Sequence, residues 1–187
     1  MNGEISVDDY LIRRAAKTDA VQVGQHIDRI LQTPSTKMCT ANMEIESKTL
    51  EQHLEYADAY WNILLANNTV KAVTSCLRWR GDSAWLFCSV ESPYLYGEGF
   101  RHSGGSLSEY LTAEAIAWAK MQSWATKIVG CIQDNNSSSR RLLAHFGFQL
   151  DGSCPADDCP RRDDRVYQFW ILPCAGRFGK GVSSRSK

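Results

Sequence analysis

Asn135-Asn136-Ser137-Ser138-Ser139-Arg140-Arg141-Leu142-Leu143-Ala144-His145-Phe146-Gly147-Phe148 decides how the rest of this sequence reads. It opens on residues that cap helices and carries Leu142, Leu143 and Phe146 along one side of a short helix over 137–146. It closes on Gly147, a natural helix stop. The apolar run 127–132 just before it reads as a strand. Upstream, Leu107, Leu111, Ala115, Trp118 and Met121 mark a long amphipathic helix. That helix is entered through Pro93-Tyr94-Leu95-Tyr96-Gly97-Glu98-Gly99-Phe100-Arg101-His102-Ser103-Gly104-Gly105-Ser106. A glycine-rich connection from a strand into a helix presents backbone N–H groups, and the first helical turn adds the positive end of its dipole. The arrangement suits a phosphate or pyrophosphate. A merely flexible loop is the alternative, because G-x-G fragments are common.

Working outward, Tyr10 to Arg14 reads as a strand, and Val23, Ile27 and Ile30 give a helix beginning near Thr18-Asp19. After the polar stretch 33–47, Leu50, Leu54 and Ala57 form a second, weaker helical stripe. Trp61 to Leu65, Val70 to Trp79 and Ala84 to Val90 read as three strands of a meander, separated by Asn67-Asn68 and by Gly81-Asp82-Ser83. A further strand and a last one at Val166 to Leu172 end the pattern. The expectation is an α/β fold, with a mixed, mostly antiparallel central sheet flanked by helices. Residues 1–174 form one domain on this reading, and 175–187 form a flexible basic tail.

The composition excludes several classes. With 43% hydrophobic and 22% charged residues among 187, the chain is neither disordered nor fibrous. A chain of this size buries about 70% of its surface without staples. Lys plus Arg and Asp plus Glu both number 21, so no global field draws the chain to nucleic acid or an anionic membrane. Seven scattered cysteines and no opening cationic-then-apolar segment predict reduced thiols and a cytoplasmic protein. Cys76, Cys88 and Cys131 fall in strand-like runs, where a thiol acts as a small hydrophobe. Cys154 and Cys159 are a lone C-x4-C with no nearby His, so no metal site is expected. No apolar run reaches the 18 residues of a membrane span. The tail from Ala175 carries four basic and no acidic residues, which leaves a nucleic-acid contact open but not favoured.

The quoted stretch resembles the second motif of the GNAT superfamily of acetyl-CoA-dependent N-acetyltransferases: Asn-x-x-Ala/Ser, a Leu-bearing helix, and Gly-Phe eleven residues after the Asn. Asn136, Ser139, Leu142, Gly147 and Phe148 match it. The family's first motif, Gln/Arg-x-x-Gly-x-Gly/Ala, is similar to Arg101-x-x-Gly104-x-Ser106, with Ser as the last small residue. The connection here looks about five residues longer than the family's, and Gly97-Glu98-Gly99 and Ser108 offer other registers for the same contact. The element order from Tyr10 to Leu172 also resembles the family's.

The resemblance implies a GNAT-like fold that uses acetyl-CoA as co-substrate and acetylates an amine by direct attack on the thioester. It places Arg101, His102, Ser103, Gly104, Gly105 and Ser106 at the pyrophosphate, and Asn136 and Ser139 beside the pantetheine arm. The N–H of Val90 or a neighbour would meet the oxyanion. Glu91, the carboxylate nearest that strand end, is the candidate base. Many relatives place a Tyr seven residues after the motif Asn to protonate the departing thiolate; here that position is Leu143. Tyr94 and Tyr96 could line the acceptor pocket, and Tyr96 is the candidate for the missing proton donor. In such relatives the loop equivalent to Asp157 through Asp164 borders the acceptor. His26, His53 and His145 fall on helices and are given no catalytic role. The acceptor is open between a small molecule, a protein amine and a modified nucleobase. The alternative is an inactive GNAT-shaped module that binds CoA, a protein or nucleic acid, and an exposed edge strand offers a route to a homodimer.

Overall fold

The computed structural model describes residues 10–32, 47–79, 81–91, 106–153 and 167–174. Chain order runs β1 (Tyr10–Arg14), a 3-10 turn (Lys17–Asp19), α1 (Ala20–Gln32), α2 (Ser47–Glu55), β2 (Ala59–Ala66), β3 (Thr69–Trp79) and β4 (Ser83–Val90). It continues through α3 (Leu107–Met121), β5 (Lys127–Gln133), α4 (Ser137–His145), β6 (Gln149–Ser153) and β7 (Tyr167–Pro173). The seven strands lie in one sheet in the order β1-β2-β3-β4-β5-β7-β6. Every neighbouring pair is antiparallel except β4 and β5. This is the mixed, mostly antiparallel sheet flanked by helices that the residue pattern predicts. The 175–187 tail, the 92–105 connection and the 154–166 loop lie outside the described residues.

Local chemistry fixes the turns. Asn67 and Asn68 take φ of 49° and 56°, the left-handed pair of a type I′ turn, and that turn matches the twist of β2 and β3. At the end of α4, Gly147 (φ 83°) donates to Ala144 O, while Phe148 N–H reaches back to Leu143 O at 3.0 Å. The pair is a Schellman cap, and its usual apolar contact is present because Leu143 and Phe148 share one buried cluster. The first α-helix begins at Ala20, directly after Asp19, with Lys17–Asp19 closing as a 3-10 turn before it. The second helix ends at Glu55, so Ala57 falls outside it.

Each sheet face buries its own core. On one face Ala115 and Ile116 of α3 and Leu143 of α4 pack on Leu86, Ile128 and Ile132. On the other, Val23 and Ile27 of α1 and Leu50 of α2 pack on Trp61, Ile63 and Phe87. Cys76 is buried among apolar neighbours, and burial pushes its thiol pKa far up, the inert role expected of it. The start of α1 is tied to β1 by Asp19. Its carboxylate receives Arg13 Nη1 at 2.6 Å and Nη2 at 2.8 Å, and the Ala16 N–H at 2.7 Å.

The Arg13 hydrogen bonds hold the Asp19 carboxyl below the usual carboxylate range, against the opposing effect of burial. A depressed folded-state pKa contributes stability that is present above the unfolded value of about 3.9 and is lost as pH falls through the folded value. Asp19→Asn is therefore expected to be less stable than wild type at pH 7, with the difference closing below about pH 4. Urea unfolding at a series of pH values checks this.

Candidate functional site

β4 and β5 are parallel and stay in register only from Ser83↔Lys127 to Leu86↔Gly130. Beyond that point β4 continues to Val90 and β5 to Gln133 without pairing, so the strands part and leave a wedge at their C-terminal ends. The Glu91 N–H donates to Lys71 O at 3.0 Å. Residues of an antiparallel strand alternate in which side their N–H faces, so Ser89 and Glu91 point their N–H at β3 while Cys88 and Val90 point theirs into the wedge.

A cleft of about 520 Å³, counting space open to solvent, fills this wedge. Leu86, Phe87 and Cys88 line it from β4, and Gly130, Cys131 and Ile132 line it from β5. Asn136, Ser139, Leu142 and Leu143 close it from α4, and Thr112 closes it from α3. Because side chains alternate along a strand, Leu86 and Cys88 face α3 while Phe87 faces α1; the wedge thus reaches both faces of the sheet. The Thr112 hydroxyl is wholly buried in the wall and makes no hydrogen bond of normal geometry. Burial also raises the Cys88 thiol pKa, so both groups sit here as neutral dipoles.

Two helix starts border this end of the molecule. Asn136 caps α4 by accepting the Ser139 N–H at 3.1 Å. At α3, Ser106 Oγ accepts the Glu109 N–H at 3.3 Å and the Glu109 carboxylate accepts the Ser106 N–H at 2.6 Å, a complete capping box. The Tyr110 N–H opens the helical ladder on Ser106 O. The Leu107 and Ser108 N–H groups are those the helical pattern itself leaves for an outside acceptor.

The structure therefore brings Asn136 and Ser139 into the cleft wall, Val90 to the wedge edge and Ser106 to the start of α3. Tyr96, Arg101, His102, Ser103, Gly104 and Gly105 lie outside the described residues, as do Tyr94 and the 157–164 loop. Glu91 stands at the β4 end with Arg29 Nη2 at 3.1 Å from Oε1 and Lys71 Nζ at 3.1 Å from Oε2. Burial pushes its carboxyl up, but these two cations outweigh it and hold the group below its ordinary value. Sequence reasoning missed Thr112, Cys131 and Leu142 as cleft residues. Thr112 and Leu142 sit on apolar helix faces, and nothing local tells a core position from a cavity wall. Among the described residues no cluster of His, Cys, Asp or Glu could hold a metal, and no helix is long and apolar enough to cross a membrane.

The fold is that of the GNAT acetyltransferases. The chain superposes on an acetyltransferase of that family from Streptococcus pneumoniae with a TM-score of 0.66 at 18% identity, covering 88% of this chain and 98% of the other. It matches yncA of Salmonella typhimurium, solved with its cofactor acetyl-CoA, with a TM-score of 0.69 at 17% identity, covering 92% and 98%. A ribosomal-protein-alanine N-acetyltransferase from Brucella melitensis gives 0.64 at 19% identity, covering 87% and 99%. No protein-family model and no curated protein matches the sequence.

Asn136→Ala removes the side-chain cap of α4. The change is expected to cost about 1 kcal/mol of stability, while Asn136→Asp costs far less. Denaturant midpoints of the three proteins check this.

Proposed function

We propose that this chain is an acetyltransferase that moves an acetyl group from acetyl-CoA to an amine by direct attack. The observation that carries the reading is the wedge between β4 and β5, into which Cys88 and Val90 turn their N–H groups. A slot lined by backbone donors and apolar side chains fits an extended pantetheine arm. When bound, acetyl-CoA supplies the activated thioester. The Val90 N–H then donates to the oxyanion that forms when the amine adds, a contribution that in other enzymes is about 10²- to 10³-fold in rate. Asn136 and Ser139 lie along the arm. Arg101 through Ser106 hold the pyrophosphate together with the Leu107 and Ser108 N–H groups at the α3 start.

The proton inventory is small. Glu91, the carboxylate nearest the strand end, is assigned as the base, and its pairing with Lys71 and Arg29 makes it a weak one. Tyr96 is assigned to protonating the thiolate, a leaving group acidic enough to depart without a strong acid. Structural neighbours from Vibrio fischeri and Brucella melitensis bear names that specify alanine of ribosomal proteins, so peptide N-terminal amines head the acceptor screen. One observation favours a second reading, a CoA-binding module without turnover. Leu143, at the family's Tyr position, is 4% exposed and packs in the core.

Calorimetry with acetyl-CoA tests the proposal. Wild type is expected to bind in the micromolar range, and Gly104→Val combined with Gly105→Val is expected to lose binding. Release of CoA thiol with an N-terminal amine then separates the enzyme from the module. No binding by the wild type would remove both readings.

A further inference from the structure

His26 puts a polar ring into the apolar stripe of α1. It is 0% exposed and sits beside Val23 and Ile27. Its Nε2 lies 3.1 Å from Ser89 Oγ, and its Nδ1 makes a longer contact of 3.5 Å with Glu91 Oε1. Arg29, one turn further along α1, reaches both the Glu91 carboxylate and the Val70 carbonyl at 3.1 and 3.0 Å. Lys71 of β3 takes the other carboxylate oxygen. α1 and β3 thus grip two residues of the strand end, Ser89 and Glu91, on either side of Val90.

The end of β4 needs such a grip. Past Leu86 it has a strand neighbour on the β3 side alone, because β5 has parted from it. On the α3 face Val90 packs with Leu64, Leu107 and Leu111. Apolar contact fixes position but not direction, whereas a hydrogen bond fixes both. The β3 ladder holds one side of the strand end, and the polar array on the α1 face adds the side-chain hydrogen bonds that limit how far the strand can turn about that ladder. Exchanging an imidazole–hydroxyl pair for apolar side chains of like shape is close to neutral for stability, so burying His26 here gains little from stability alone.

We infer that His26 is a positioning residue: through Ser89 and Glu91 it holds the end of β4 so that the Val90 N–H points into the wedge. The inference rests on the acetyl-transfer reading of that wedge. The 3.5 Å contact of Nδ1 with Glu91 is electrostatic and longer than a hydrogen bond of normal geometry; with the ring proton on Nδ1, facing the carboxylate, Nε2 accepts from the Ser89 hydroxyl. Burial lowers the His26 pKa, with Glu91 opposing that shift and Arg29 adding to it, and the neutral ring is the form this arrangement needs.

The test compares wild type with His26→Ala, His26→Gln and Ser89→Ala in the full chain. In the free protein, hydrogen exchange of the Glu91 amide, which is bonded to Lys71 O, is expected to quicken at least tenfold in His26→Ala, while exchange along β2 is unchanged. Acetyl-CoA affinity stays within twofold. Turnover falls about ten- to a hundredfold, the scale expected of a misplaced reacting group, and His26→Gln recovers part of it. Ser89→Ala, which loses one hydroxyl, is expected to show the same pattern in weaker form, and it decides the matter if His26→Ala does not fold. Unchanged exchange and turnover in Ser89→Ala and in the folded His26 variants would overturn the inference. So would a parallel loss of affinity, turnover and exchange protection throughout the sheet. A wild type that does not bind acetyl-CoA fails the functional reading instead, and the two failures are told apart by which protein fails.

Discussion

The parting of β4 and β5 after Leu86 and Gly130 is the constraint on which the rest of the molecule turns. Within a continuous sheet the N–H groups of Cys88 and Val90 would be spent on a neighbouring strand. Here they face a cleft instead. Keeping two parallel strands apart requires that each be held from its other side. β5 is held by its antiparallel ladder with β7, which runs the full length from Lys127↔Pro173 to Gln133↔Tyr167. β4 is held by a ladder with β3 that extends to Ala72↔Val90. The parallel pair is thus the joint between two antiparallel blocks, and α3 and α4 pack across that joint on one face.

The two helices that border the wedge are each started by side-chain caps, and the cap of α4, Asn136, also lines the cleft. Asn136 spends its Oδ1 on the Ser139 N–H, and Ser106 and Glu109 satisfy one another. These caps fix where each helix begins, and so where its first-turn amides lie relative to the strand ends. Gly130 contributes from the strand side. An added Cβ there would meet the Leu143 methyls at 3.2 Å, so the missing side chain lets α4 settle close to β5 and form the cleft wall. Both devices are local in sequence and decisive for geometry.

That locality explains what the sequence made legible. Gly147-Phe148 and Asn67-Asn68 specify backbone conformations that few other residues favour, so the cap and the hairpin could be read directly. The motif around Asn136 and Ser139 was legible for the same reason. The His26–Ser89–Glu91 array was not. His26 lies 63 residues from Ser89 along the chain, and the group meets only because α1 lies against β3 and the β3–β4 register puts Ser89 and Glu91 on that face. Read alone, His26 is one polar position on a helix. Glu91 stands out in the sequence as the carboxylate next to the strand end, but its cations come from α1 and β3, and their effect on its basicity follows only from packing.

Leu143 shows how one position can serve two demands. The resemblance sets a proton donor there, yet in this chain the residue accepts the Phe148 N–H on its carbonyl to close the Schellman cap, fills the space over Gly130 and forms part of the cleft wall. A phenol in its place would have to fit beside a strand that leaves room for methyl groups and no more. Leu143 packs over Gly130 where the resemblance sets the usual acid, so this helix supplies no proton donor at that position. In a thioester reaction that absence is tolerable, because a thiolate leaves readily and the backbone donors carry more of the barrier than the acid does. The same substitution would be far more damaging in an enzyme whose leaving group is an alkoxide or an amine.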